Sequence, residues 1–258
     1  MNYKLIEFEK TNAIGTLTLN NPEKRNALSL AMLNELHCML DEIKKRSDVK
    51  VVIVRGAGKI FSSGHDLTEM IGHGLKDYQE VFDTCSAVML KIQDMPQPFI
   101  AQVHGIATAA GCQLVAACDL AVAEEGTIFG TPGVRLGIFC TTPAIPLVRA
   151  IGRKRALEML FTGRMISARE AEQFGLVNKV VSMDRLGEEA KAMAEKIAEA
   201  SALTLKIGKS AFYAQVNLSD AHAYNIGNEV MVSNLFADDA KEGIRAFLEK
   251  RKPLWTGK

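Results

Sequence analysis

Through its first half the chain passes repeatedly from a short apolar run, by way of a turn of small residues, into a helical pattern. That alternation restricts it to the α/β class. Leu5–Phe8 and Ile14–Leu19 alternate apolar with polar residues on either side of Thr11-Asn12, the pattern of a two-stranded hairpin that Asn20-Asn21-Pro22 ends. Ser29 reads as the N-cap of a helix whose apolar positions, Met32, Leu33, Leu36, Met39, Leu40 and Ile43, fall at helical spacing. Val51–Arg55 reads as a buried strand, a helix is expected over about Asp77–Gln93 ahead of Pro96 and Pro98, and Phe99–Val103 reads as the next strand. Gly105–Cys118 looks like a helix of small residues, with Leu120–Ala123 and Thr127–Gly130 as short strands after it.

From Thr142 onward the pattern is almost wholly helical: Ala144–Ile151, Arg153–Phe161, Ala168–Phe174, Leu186–Ala200, Leu203–Gln215 and Ala221–Phe247, with Lys179–Val181 the single strand. The final helices carry amphipathic stripes but have no strand to cover. They must pack on the preceding domain, on another subunit, or on both. The expected division is a core over residues 1–195 and a helical oligomerisation region over 196–258.

Composition narrows the function classes. With 258 residues, 48% of them hydrophobic, the chain can bury a sizeable core. Lys and Arg number 31 against 30 Asp and Glu, a formal charge of +1, which argues against a dedicated nucleic-acid binder. The most apolar stretch, Gly105–Val122, is interrupted by Gln113 and Asp119 and is too polar to span a bilayer. The five cysteines, Cys38, Cys85, Cys112, Cys118 and Cys140, form no CxxC and no cluster with His, so neither a disulfide framework nor a metal site is expected. MNYKLIEFEK looks like neither a signal nor a transit peptide, and a cytoplasmic, reducing location is the expectation.

Three glycine-bearing turns join strand to helix: Phe61-Ser-Ser-Gly-His-Asp-Leu67, His104-Gly-Ile-Ala-Thr-Ala-Ala-Gly-Cys-Gln113 and Phe129-Gly-Thr-Pro-Gly-Val-Arg-Leu-Gly137. Small residues let the backbone approach a ligand closely, and the free N–H groups of a helix start favour negative charge. None of the three is a GxGxxG or a P-loop. Taken singly, each also reads as an ordinary tight turn.

Together with Asn21-Pro-Glu-Lys-Arg-Asn-Ala-Leu28, Ile151-Gly-Arg-Lys-Arg-Ala-Leu-Glu-Met-Leu-Phe-Thr-Gly163, Gly175-Leu-Val-Asn-Lys-Val180 and the C-terminal Lys241–Lys250, these turns resemble the enoyl-CoA hydratase/isomerase (crotonase) superfamily over essentially the whole chain. The resemblance implies a spiral core of ββα units and C-terminal helices that assemble a homotrimer, in some relatives a dimer of trimers. It implies an acyl-CoA ligand with no further cofactor. It also implies an oxyanion hole of two backbone N–H groups, which here fall on His65 and Ala110. Such donors stabilise the enolate-like anion of reactions beside a thioester carbonyl, each worth about 2.7–4 kcal/mol in other enzymes. By the same resemblance Lys24, Arg25, Ala27 and Leu28 wall the CoA site, where Arg25 reads equally well as half of a solvated charge pair. Ser63, Gly64, Asp66, Leu67, Ala109 and Pro132 line the cleft, and Lys250 matches a position that reaches a neighbouring subunit's CoA.

The chain departs from the family where hydratases carry two glutamates. Adding water across a double bond needs a base for the water and an acid for Cα. Those positions here are Gln113, whose amide exchanges no proton near neutral pH, and Gly133, which has no side chain. Thr141 stands where some thioester-processing relatives carry aspartate. A positioned acid or base contributes about 10²–10⁴-fold, so efficient hydration is not expected. Restoring both glutamates should raise it, provided the backbone at residue 133 accepts a side chain.

Three readings follow: an acyl-CoA-binding protein with weak or altered enolate chemistry; a non-catalytic acyl-CoA-binding regulator; and a true hydratase or isomerase using another base such as His65. A purely structural oligomerisation module fits less well, because two turns keep small residues where a thioester needs room.

Overall fold

The computed structural model describes residues 3–258. Its elements are β1 (Ile6–Thr11), β2 (Ile14–Leu19), α1 (Leu30–Lys44), β3 (Val51–Gly56), α2 (Leu75–Asp94), β4 (Phe99–Val103), β5 (Ile106–Thr108), α3 (Ala110–Ala117), β6 (Leu120–Glu124), β7 (Ile128–Gly130), α4 (Thr141–Ile151), α5 (Arg153–Thr162), β8 (Met165–Ser167), α6 (Ala168–Phe174), β9 (Lys179–Val181), α7 (Met183–Ala198), α8 (Ala202–Gln215), α9 (Asp220–Leu235) and α10 (Asp238–Leu248). Short 3₁₀ turns occupy Pro22–Lys24, Leu67–Met70 and Pro132–Leu136.

Six strands form one sheet in the order β1-β2-β3-β4-β6-β9, and β5, β7 and β8 form a second. β1 and β2 are the expected antiparallel hairpin, with Ile6 opposite Leu19 and Asn12 in the left-handed turn. The remaining pairs of the large sheet are parallel. Both faces are covered, which is why Val51–Val54 is apolar without alternation. Val52 and Val54 face the main core of α1, α2 and α3, whereas Val51 and Ile53 pack with Ile100 and Val122 against Leu186, Ala190 and Ala194 of α7.

The sequence reading needs three corrections. Gly105–Cys118 is not one helix: Ile106–Thr108 pairs in parallel with β7, and α3 begins only at Ala110. Lys179–Val181 is not the only late strand, because Met165–Ser167 pairs antiparallel with β7. The expected helix Ala221–Phe247 breaks at Phe236–Ala237, where Asp238 and Asp239 open α10 with negative charge at its N-terminus.

A largely buried ion pair fastens α8 to the core. Lys209 Nζ lies 2.7 Å from Asp119 Oδ2 and donates to the carbonyls of Ile92 and Gln97 at 2.7 and 2.9 Å. Asp119 also accepts from Tyr213 Oη at 2.8 Å and from the Phe99 N–H at 2.7 Å, which makes it a structural carboxylate. No helix among the described residues is long and apolar enough to cross a membrane.

Candidate active site

The site begins with a buried asparagine. Asn26, in the left-handed region at φ 49°, is fully buried. Its amide donates to the carbonyls of Ala57 and Ile60 at 2.8 and 2.9 Å, and its Oδ1 accepts from the Asn21 N–H at 2.9 Å. The loop of residues 24–28 is thereby fixed against the turn that follows β3. Ser62 Oγ donates to Asn26 O at 2.8 Å and accepts from the Gly64 N–H at 3.2 Å, while the Leu28 N–H donates to Gly64 O at 2.7 Å.

Gly64 sits at φ +94°, and a Cβ there would stand 3.2 Å from Ala110 N and 2.9 Å from Thr108 O. The first turn thus lies directly on the second, and only glycine allows that approach. Among the described residues the backbone N–H groups of His65 and Ala110 donate to no protein acceptor. Ala110 owes this to its place as the first residue of α3. Its predecessor Ala109 holds φ 49° and ψ −118°, a conformation alanine rarely takes, while its N–H donates to Gly130 O at 2.9 Å.

These turns wall a cavity of about 550 Å³ lined by Lys24, Arg25, Ala27, Ser63, His65, Asp66, Leu67, Ala109, Ala110, Pro132 and Gly133, together with Met70, Phe82, Ile138, Phe139, Cys140 and Pro143. Four of the residues expected at the site do not line it. Leu28 and Gly64 stand behind its wall as hydrogen-bonding partners. Lys250 lies beyond the end of α10 as an exposed residue, away from this cavity. Gln113 instead lines a second cavity, of about 630 Å³, with Ser86, Met89, Leu90, Ile145 and Phe212. Thr142 belongs to the walls of both. Sequence reasoning missed Met70, Phe82, Ile138, Phe139 and Pro143, whose apolar side chains carry no motif of their own.

At the mouth, Lys24 Nζ lies 3.3 Å from Asp66 Oδ2. Hydrogen bonds from Thr68, and then Lys24, hold the Asp66 carboxyl below its ordinary pKa. Asp66 caps the 3₁₀ turn at Leu67–Met70, and Glu69 accepts from the Leu30 N–H at 2.9 Å, so both carboxylates have structural partners. His65 Nδ1 lies 3.1 Å from Leu28 O, a bond that requires the proton on Nδ1. Its Nε2 is buried without a partner, and its ring meets Phe82 edge-on at 5.3 Å. Burial holds the imidazole below its ordinary pKa, against the opposing pull of Leu28 O.

Gly133 is built as a glycine. A Cβ there would lie 2.6 Å from Cys140 Sγ and 2.6 Å from Ile138 O. Burial pushes the Cys140 thiol above its ordinary pKa, consistent with an apolar filler. His104 Nε2 donates to Gly58 O at 2.9 Å, and the residue is a packing histidine. No group of three or more His, Cys, Asp or Glu among the described residues is placed to hold a metal ion.

Residues 9–258 match the enoyl-CoA hydratase/isomerase family profile. The chain belongs to the enoyl-CoA hydratase/isomerase family. Within this family it is 49% identical over 254 residues to the rat mitochondrial enoyl-CoA hydratase domain-containing protein 3, covering 98% of this chain and 85% of the relative. The crystal structure of human enoyl-CoA hydratase domain-containing protein 3 superposes with a TM-score of 0.95 at 48% identity, over 98% of this chain and 100% of that one. An enoyl-CoA hydratase from Mycobacterium smegmatis also gives 0.95, at 44% identity, over 98% and 99% of the two chains. These likenesses establish the crotonase fold. They also overturn the cytoplasmic expectation, since the rat, mouse and human relatives are all named mitochondrial. That expectation rested on the character of Met1–Lys10 and on the scattered cysteines, neither of which fixes a compartment.

Proposed function

We propose that this family member binds acyl-CoA thioesters and holds the thioester oxygen between the His65 and Ala110 N–H groups, without efficient hydration of enoyl-CoA. The observation that carries this reading is the pair of main-chain donors left without acceptors at one cavity wall. An enolate-like oxyanion there would meet donors already in place, so no reorganisation is needed as charge develops. Lys24 and Arg25, at the mouth, supply positive charge for the CoA phosphates. The acyl chain runs along the apolar wall past Thr142 toward the second cavity.

The hydratase carboxylates are replaced by Gln113 and Gly133. Neither moves a proton, and Cys140 fills the space a side chain at residue 133 would need. His65 is a poor substitute base, because Nδ1 is engaged by Leu28 O and the Nε2 lone pair is buried. What remains is stabilisation of an enolate by the two amides, which suits weak or altered chemistry at Cα. Residues 196–258, which contain helices α8–α10, form the oligomerisation region of a homotrimer or dimer of trimers. Exposed Phe212, Tyr224, Met231 and Phe236 support that assembly.

Calorimetric titration with butyryl- and hexanoyl-CoA tests binding, and absence of heat at millimolar ligand would sink the proposal. Deuterium wash-in at Cα separates the two forms of the reading: exchange marks enolate chemistry, and binding without exchange marks a non-catalytic binder. Disappearance of the 2-enoyl-CoA chromophore at rates typical of family hydratases would refute the claim about Gln113 and Gly133.

A further inference from the structure

The His65 side chain reaches back to the residue that holds its own peptide. Gly64 O and the His65 N–H belong to one planar trans unit and point in opposite directions, so whatever fixes the carbonyl aims the donor. The Leu28 N–H fixes it, at 2.7 Å. That single bond leaves the aim loose, because Gly64, at φ +94°, is the residue type with the least torsional restraint. The imidazole adds a second tie: His65 Nδ1 donates to Leu28 O at 3.1 Å, so both main-chain polar groups of Leu28 are committed to residues 64 and 65. Leu28 is fully buried, and among the described residues its carbonyl accepts from no other group. Without the imidazole that oxygen would be unpaired in the interior, and Leu28 would shift toward another donor. Gly64 O, bound to the N–H of the same residue, would shift with it. The ring has no other polar partner. Its Nε2 is buried and unpaired and it meets Phe82 edge-on at 5.3 Å, so apolar filling alone would be better served by leucine or phenylalanine. Ala110 needs no such brace, since its N–H is aimed by α3 itself.

We infer that the His65 imidazole is a positioning group for the His65 N–H. It acts through Leu28, not on the thioester itself, and sets how well the first of the two donors meets the thioester oxygen. The main chain supplies the donor and the side chain supplies its direction. The inference rests on the thioester-binding reading above and adds the group that aims one of its two hydrogen bonds.

The test compares hexanoyl-CoA with S-hexyl-CoA, a thioether that keeps the chain and the CoA but has no carbonyl oxygen. In calorimetry of the full chain, the wild-type protein should bind the thioester about tenfold more tightly than the thioether. His65→Leu and His65→Ala keep the N–H and lose the imidazole, and in them that ratio should fall about three- to tenfold. His65→Asn, whose amide nitrogen stands close to the place of Nδ1, should restore most of it. A bond with a merely structural role would lower the thermal midpoint of the variants and leave the ratio intact. A ratio unchanged in either folded variant without a donor, or one that falls equally in His65→Asn, overturns the inference and leaves thioester binding standing. Equal wild-type affinities for thioester and thioether, or failure of both to bind, overturn the inference together with the reading beneath it.

Discussion

On the proposed reading, Gly133 decides whether point mutation can confer efficient hydration. Ile138 O is main chain, so the collision of a Cβ with it cannot be relieved by a rotamer change at Cys140. Gly133→Ala should therefore destabilise the fold by about 1–3 kcal/mol, read as a lower thermal midpoint by circular dichroism; an unchanged midpoint would show that the Ile138 segment gives way. The double replacement Gln113→Glu with Gly133→Glu should fail to raise hydration, contrary to the expectation from sequence, because the loop itself must first be rebuilt. His65 provides a second residue-scale test. Its folded pKa is depressed by burial, so between the ordinary value of about 6.5 and the lower folded value the unfolded chain binds the extra proton. Stability from this residue is complete above about pH 6.5 and drains away as pH falls toward the folded value. Denaturant midpoints at pH 8 and pH 5.5 should converge in His65→Asn, which keeps a donor toward Leu28 O and cannot titrate. The identity of these residues was legible in the sequence, but their surroundings were not. That Gly133 faces Cys140, or that the Gln113 amide has no partner, depends on contacts between segments that no local pattern encodes.

At the scale of elements, regular periodicity was readable and pairing was not. The Ser29 cap, with its side chain accepting from the Met32 N–H, and the buried stripe of α1 follow from local sequence. β5 and β8 escaped because three residues carry no period, and each exists only through its partnership with β7. The break before α10 escaped for a related reason: no glycine or proline marks it. Asp239 settles it instead, buried and accepting from Ser201, Thr256 and Gly257 in distant parts of the chain. The Lys209–Asp119 pair is the element-scale contact with most at stake, since it ties α8 to the end of α2 and the starts of β4 and β6. Lys209→Met would strand the Asp119 carboxylate and should cost about 3–5 kcal/mol in chemical denaturation. A loss under 1 kcal/mol would mean that Tyr213 and the Phe99 N–H suffice to hold it.

Across the whole molecule, α9 has no buried residue, and Tyr224, Met231, Val232 and Phe236 stand exposed along and beside it. Met231→Glu paired with Phe236→Glu should therefore shift the protein from the proposed trimer toward monomer in light scattering, with the thermal unfolding of the core little changed; a monomeric wild-type protein would remove the basis of the expectation. The unengaged donors at residues 65 and 110 have a consequence of another kind. Both belong to the main chain, so nineteen of the twenty amino acids preserve them and proline alone deletes them. Side chains at 113, 133 and 140 are free to wander through sequence space while these two donors persist in every descendant that keeps the backbone path. On the proposed reading the fold separates heritable capacity from selectable chemistry: what can be lost by mutation is the choice of reaction, and what survives is the place where a reaction can begin.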